Sequence, residues 1–196
     1  MNDAASKPDT QDIVVDEVFP HAPETIWKTL TTGQLIGRWI EMAPTGFEPV
    51  KGKHFTFQTT PAGAWDGIIR CQVLEAIPNE RLVYAWKGGH EGNVGYGSRL
   101  DTVVAWTLSM VENGTRLRLV HSGFALPKND TAFKNLSDGW KKVVRNLETI
   151  AAEQADRRIR RTTTTRFGPI RCQMKSESAF SIITRGARCS IPIPRR

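Results

Sequence analysis

The sequence predicts a single α+β domain in which a curved antiparallel sheet wraps around one long C-terminal helix. From Lys51 to Phe124 apolar side chains recur at every second residue, which is the period of a β-strand. Turn residues interrupt this pattern where hairpins require them. After Pro127 the apolar period changes to that of a helix. The two patterns together predict a sheet followed by the helix that it grips.

Three short elements are predicted before the sheet. Residues 13–20 are rich in β-branched side chains and end at a proline, so we predict a first strand there. The stretch 22–32 has Pro23 and Glu24 in its first turn and an apolar face, which predicts a short helix. A second short helix is predicted within 33–44. These two helices would clasp one end of the sheet.

Strand parity assigns the faces of the predicted sheet, because successive side chains of a strand point to opposite sides. The hairpin signals are Pro61-Ala62-Gly63, Pro78-Asn79, Gly88-Gly89 and Asn113-Gly114. The side chains predicted to face inward are Phe55, Phe57, Ile69, Cys71, Val73, Leu82, Tyr84, Trp86, Val104, Trp106, Leu108, Leu117, Leu119 and His121.

The last predicted element is a helix of about six turns that begins near Asp130, a suitable N-cap. Its apolar face consists of Phe133, Leu136, Trp140, Val143, Val144, Leu147 and Ile150. Gly139 lies in the middle of this helix, where glycine costs roughly 1 kcal/mol relative to alanine. Either a close approach to the sheet or room for a ligand would explain it.

The composition divides the chain into three predicted segments: a disordered lead-in over 1–10, the domain over 11–155, and a basic, disordered tail over 156–196. The net charge is +7, but the tail alone holds 11 Lys and Arg against 2 Asp and Glu. The remaining residues therefore carry 16 positive and 18 negative charges. Nucleic-acid binding would depend only on the tail, and we do not expect it of the domain.

Cofactor, metal and membrane functions receive no support from the sequence. Cys71, Cys172 and Cys189 have neither disulfide nor zinc-ligand spacing, which favours a reducing cytoplasm and predicts no metal and no cofactor. No stretch approaches the roughly 20 apolar residues of a membrane-spanning helix. The first twelve residues lack the apolar segment of a secretory signal, so we expect a cytoplasmic protein.

Five sequence blocks carry a resemblance to a known family. They are APETIWKTL, RWIEM, DGIIRCQVLEAIPNERLVYAW, GTRLRLVHSGF and the Gly139-Trp140 pair. Over about residues 11–155 the chain resembles the activator of heat-shock protein 90 ATPase homologue family, within the START-like, polyketide cyclase-like SRPBCC superfamily. The resemblance implies a helix-grip fold with a ligand-binding cavity. It does not imply one reaction, since relatives include co-chaperone domains, binders of lipids or aromatic ligands, and a few cyclases.

The aromatic side chains of the inward face and of the last helix are either core or the lining of an apolar cavity, and the resemblance favours a cavity. The predicted ligand-binding residues are Phe55, Phe57, Tyr84, Trp86, Trp106, His121, Phe133, Trp140 and Val144. Strand parity places the titratable side chain of His121 on the inward face, where it could orient or protonate a ligand. The preferred interpretation is a core histidine whose ring is satisfied by hydrogen bonds.

The main functional hypothesis is a domain that binds a small hydrophobic molecule or a lipid without evident catalysis. The first alternative is a co-chaperone-like regulator of a heat-shock protein 90-type ATPase, which would use the exterior surface. The second is a cyclase-like enzyme in which His121 and Tyr84 transfer protons within the cavity. No nucleophile, phosphate-binding or zinc-protease motif is present to favour another enzyme class.

Overall fold

The computed structural model describes the backbone from Thr10 to Arg166 and the side chains up to Arg157. The predicted lead-in, apart from Thr10, and residues 167–196 of the predicted tail lie outside this range. Nine elements follow one another in the described part. They are β1 (Thr10–Phe19), α1 (Pro23–Thr31), α2 (Gly33–Trp39), β2 (His54–Gln58), β3 (Ile68–Ile77), β4 (Arg81–Gly88), β5 (Leu100–Val111), β6 (Gly114–Ala125) and α3 (Asp130–Arg166).

The six strands form one antiparallel sheet in the order β1-β6-β5-β4-β3-β2. Strands β2 to β6 are a meander in which each strand pairs with the next. The chain begins at the opposite edge, because β1 pairs with β6 and places Val15 opposite Leu119. The predicted α+β helix-grip architecture is therefore confirmed.

Helix α3 lies against the sheet together with α1 and α2, and the core is the layer between them. Every side chain that strand parity placed inward is buried, with at most 6% of its surface exposed. Trp39, at the end of α2, is also fully buried and donates its indole N–H to the carbonyl of Thr29 over 3.0 Å. The two short helices thereby close one end of the core.

Helix α3 is longer than predicted, since its 37 residues run to Arg166. The predicted boundary near residue 155 marked the end of the apolar period and not the end of the helix. Extending an existing helix carries no nucleation cost, and arginine is a good helix former. Among the described residues, no helix combines the length and the hydropathy needed to cross a membrane.

Candidate functional site

A cavity of about 360 Å³ lies between the first half of α3 and one end of the sheet. Its walls come from the segment after α2, the β2–β3 and β4–β5 connections, the neighbouring strand residues, and α3. The lining residues are Ile40, Glu41, Met42, Thr59, Trp65, Ile69, Trp86, Gly88, Gly89, Tyr96, Gly97, Ser98, Leu100, Ala132, Asn135, Leu136, Gly139, Trp140, Lys142 and Val143.

Aromatic rings make up much of this lining. The rings of Trp86 and Trp140 meet edge to face with their centroids 5.9 Å apart, and Trp65 meets Tyr96 in the same manner at 6.1 Å. Trp86 and Trp140 are almost fully buried, whereas Trp65 is half-buried and Tyr96 is exposed. The cavity thus has an aromatic floor and an aromatic rim.

The exposed lining residues show where the cavity meets solvent. Glu41, Tyr96, Asn135 and Lys142 are all exposed. Glu41 and Lys142 form an ion pair of 2.8 Å that joins the segment after α2 to α3. Glu41 has a φ of 61°, a left-handed conformation that is uncommon for residues other than glycine. The ion pair therefore spans one side of the mouth.

Gly139 leaves space on the cavity side of α3. A Cβ built at this position meets no atom within 4 Å other than its own helix backbone and chain neighbours. The glycine thus does not permit a close approach of the helix to the sheet. Of the two explanations that its place in mid-helix suggested, the structure favours room in the cavity.

A chain of buried hydrogen bonds fixes Trp140 in the cavity wall. Its indole N–H donates to Nδ1 of His121 over 2.9 Å, so Nδ1 carries no proton. Nε2 of His121 is therefore the protonated nitrogen, and it donates to Oγ1 of Thr102 over 2.8 Å. Thr102 in turn donates to the carbonyl of Trp86 over 2.9 Å. The chain begins and ends at the two tryptophans of the cavity floor.

This environment keeps His121 neutral. The side chain has no exposed surface, and burial lowers its pKa from 6.5 to about 3. Both ring nitrogens are engaged in hydrogen bonds, and His121 does not line the cavity. The geometry matches the alternative of a hydrogen-bonded core histidine more closely than that of a proton-transfer group.

Tyr84, like His121, is buried and hydrogen-bonded to a core tryptophan. Its hydroxyl accepts a hydrogen bond from Nε1 of Trp106 over 3.2 Å, and burial raises the pKa of this hydroxyl above its usual value. Its ring packs edge to face against Phe55 with centroids 5.5 Å apart. Tyr84 lies among core residues and does not line the cavity.

Two of the nine predicted ligand-binding residues, Trp86 and Trp140, line the cavity. The other seven do not, and they are Phe55, Phe57, Tyr84, Trp106, His121, Phe133 and Val144. Several of these surround a much smaller void of about 10 Å³, so they mainly pack against one another. Parity identifies inward side chains, but it does not show which of them border empty space.

Sequence reasoning missed the part of the lining that comes from connections. Ile40 to Met42 follow α2, and Gly89 to Ser98 belong to the β4–β5 connection. Neither segment has a period that could place its side chains. The high glycine content of this connection was a usable signal: residues 88–97 contain five glycines, and glycine allows backbone to border a cavity closely.

Ser98 is an unusual member of the lining. It is 2% exposed, and its hydroxyl makes no hydrogen bond in the part of the chain that the structure describes. As for metals, no group of three or more His, Cys, Asp and Glu residues in the described range could hold an ion.

Comparison with known proteins gives both a family and a fold. The family model described as Activator of Hsp90 ATPase homolog 1-like protein matches residues 20–152. Protein MLL2253 from Mesorhizobium loti is 31% identical, with a TM-score of 0.63 over 73% of this chain and 98% of that chain. No curated protein matches the chain.

Two more distant structures share the fold. Protein BH1534 from Bacillus halodurans is 21% identical, with a TM-score of 0.57 over 72% of this chain and 96% of that chain. CalU16 from Micromonospora echinospora is also 21% identical, with a TM-score of 0.56 over 76% and 80% of the two chains.

Proposed function

The chain belongs to the Activator of Hsp90 ATPase homolog 1-like family, and from this premise we propose that it binds a small apolar molecule in the cavity beneath α3. The observation that carries the proposal is the cavity itself. Its volume of about 360 Å³ falls within the range of roughly 300–1,000 Å³ found for small-molecule sites.

The lining supports an apolar ligand. Burial of apolar surface is the main source of affinity in such sites, while a few polar groups orient the ligand. Trp65, Trp86 and Trp140 offer large aromatic surfaces, and Ile69 and Val143 add aliphatic ones. Trp140 is already held by His121, so the wall needs little ordering when a ligand binds.

Gly139 supports the same proposal from the helix side. A glycine in mid-helix costs stability, and here no close neighbour requires it. A larger side chain at this position would extend into the space that a ligand occupies.

The experiment is a fluorescence titration of the full chain with N-phenyl-1-naphthylamine, an uncharged apolar probe, together with mass spectrometry of the purified protein for co-purified molecules. The decisive variant is Gly139→Leu, which should fill part of the cavity. Thr149→Leu is the matched control, because it adds the same side chain on an exposed part of α3 that does not line the cavity.

We expect saturable binding by the wild type and by Thr149→Leu, and binding at least roughly tenfold weaker by Gly139→Leu. A tenfold loss corresponds to about 1.4 kcal/mol of binding free energy. Equal binding by all three folded proteins would show that the probe binds elsewhere. Absence of binding to the wild type, with no co-purified molecule, would refute the proposal.

A further inference from the structure

The unpaired hydroxyl of Ser98 distinguishes one place in the cavity lining from the rest. A buried polar group without a partner is costly, and nearly all such groups in proteins are hydrogen-bonded. The described side chains contain two such atoms, and the other one, on Gln154, does not belong to the cavity lining. Ser98 therefore has two independent features: its hydroxyl lacks a hydrogen-bond partner, and the residue lies in the wall of a cavity.

The hydroxyl can adapt to a ligand. Serine has one side-chain torsion, and its O–H group both donates and accepts hydrogen bonds. The backbone N–H of Ser98 is already bonded to the carbonyl of Gly95 over 3.2 Å, which holds the main chain of the residue in place. The oxygen itself is enclosed in the structure, so rotation about this torsion would bring it to a hydroxyl or carbonyl group of a ligand without movement of the backbone.

The charges around the cavity limit the ligand further. Among the residues that the structure describes, Glu41 and Lys142 are the only charged members of the lining, and they pair with each other at the mouth. A charged group carried past them would lose its hydration without gaining a partner of opposite charge. The lining therefore disfavours an ionised ligand.

From these observations we propose that Ser98 is the polar anchor of the cavity, and that the ligand is an uncharged aromatic compound with one hydrogen-bonding group. This inference rests on the proposed function. The aromatic part would lie against the tryptophans of the floor, and the polar group would meet the hydroxyl of Ser98.

The experiment measures the affinity of the full chain for three matched probes at pH 7. Naphthalene is the apolar reference, 2-naphthol adds one hydroxyl, and 2-naphthoate adds a carboxylate. Each is titrated into the wild type, Ser98→Ala and Ser122→Ala. Ser122 is the control, because its hydroxyl donates to the carbonyl of Val103 over 3.4 Å and does not line the cavity.

We expect the wild type to bind 2-naphthol roughly 2- to 10-fold more tightly than naphthalene, the gain of one neutral hydrogen bond. This advantage should vanish in Ser98→Ala and persist in Ser122→Ala. Both variants should bind naphthalene with the affinity of the wild type. 2-Naphthoate should bind roughly tenfold or more weakly than 2-naphthol.

The outcomes that overturn the inference are distinct from those that overturn the proposed function. Binding of naphthalene and 2-naphthol with equal affinity, or an advantage of 2-naphthol that survives in Ser98→Ala, would remove Ser98 as the anchor. Binding of 2-naphthoate as tightly as 2-naphthol would refute an uncharged ligand. Failure of all three probes to bind the wild type would instead remove the proposed function and this inference with it.

Discussion

Trp140 on the last helix and His121 on the last strand are joined by a buried hydrogen bond of 2.9 Å from the indole N–H to Nδ1. The same contact orients one wall of the cavity and determines which nitrogen of the imidazole carries the proton. Trp140 is 2% exposed and His121 is fully buried, so this bond connects the two layers of the fold at the base of the cavity.

The first prediction concerns the coupling between these two residues. Trp140→Phe should destabilise the protein by about 1–3 kcal/mol from the unpaired nitrogen of His121 alone, in addition to the loss of packing. In a His121→Leu background that part of the cost should disappear, since no acceptor remains. Urea unfolding of the two single variants and the double variant measures the coupling energy.

The control for this cycle is Trp27→Phe, which removes the same atoms from a half-buried tryptophan on α1. We expect its effect to add to that of His121→Leu without coupling. A coupling energy near zero for Trp140 as well would contradict the hydrogen bond.

The second prediction is a dependence of stability on acid that comes from His121. Its pKa is about 3 in the folded protein and 6.5 in an exposed reference, so the unfolded chain binds a proton first as the pH falls. The contribution of neutral His121 to the free energy of unfolding is therefore complete above pH 6.5 and is lost as the pH falls from 6.5 to about 3. The loss should reach up to about 1.4 kcal/mol per pH unit.

Urea unfolding of the wild type and of His121→Gln at pH 7, 5 and 4 measures this difference. The variant should be less stable at pH 7 but should lose less stability on acidification. His54→Gln is the control, since His54 is exposed on β2. Parallel pH profiles for wild type and His121→Gln would disprove the assignment.

The third prediction contrasts two glycines of the lining. Gly139→Ala should raise the free energy of unfolding by about 1 kcal/mol, because alanine favours a helix and its Cβ meets open space. Gly97→Ala should lower it by at least about 1 kcal/mol, because Gly97 has a φ of +80° and a Cβ there would lie 2.9 Å from Nδ2 of Asn93. Thermal and urea unfolding would check both, and a destabilising Gly139→Ala would contradict the open space.

The fourth prediction is that the removal of a hydroxyl has opposite effects at two buried positions. Ser98→Ala should leave stability unchanged or raise it, since the lost hydroxyl has no partner in the described structure. Thr102→Val should cost about 1–3 kcal/mol, since it leaves Nε2 of His121 unpaired and removes the side-chain hydrogen bond to the carbonyl of Trp86. Similar losses for the two variants in urea unfolding would mean that Ser98 has a partner after all.

Most of the fold could be predicted because its signals are periodic. Strand parity placed Trp86, Trp106 and His121 in the core, and the helical period placed Trp140 opposite them. These positions depend only on alternation along an element, which any single sequence displays. The extension of α3 beyond residue 155 could not be predicted in this way, because the sequence shows no apolar period after that point.

The cavity could be predicted only in part, for a geometric reason. A cavity is the space left between elements, so it depends on how closely α3 approaches the sheet and not on the direction of any one side chain. Trp86 and Trp140 were found because they face this gap, whereas Tyr96 and Ser98 lie in a connection without a period. Whether the hydroxyl of Ser98 has a hydrogen-bond partner can be determined only when its neighbours in space are known.

The walls of the cavity also imply an order of assembly. They combine residues from Ile40 to Val143, and α3 is the last described element to leave the ribosome. A nascent chain that has not yet released Trp140 lacks one wall and cannot retain a ligand there. Ligand binding would thus stabilise only domains whose sheet and last helix have both formed. A ligand present during synthesis would bind after the sheet has assembled and would not direct its assembly.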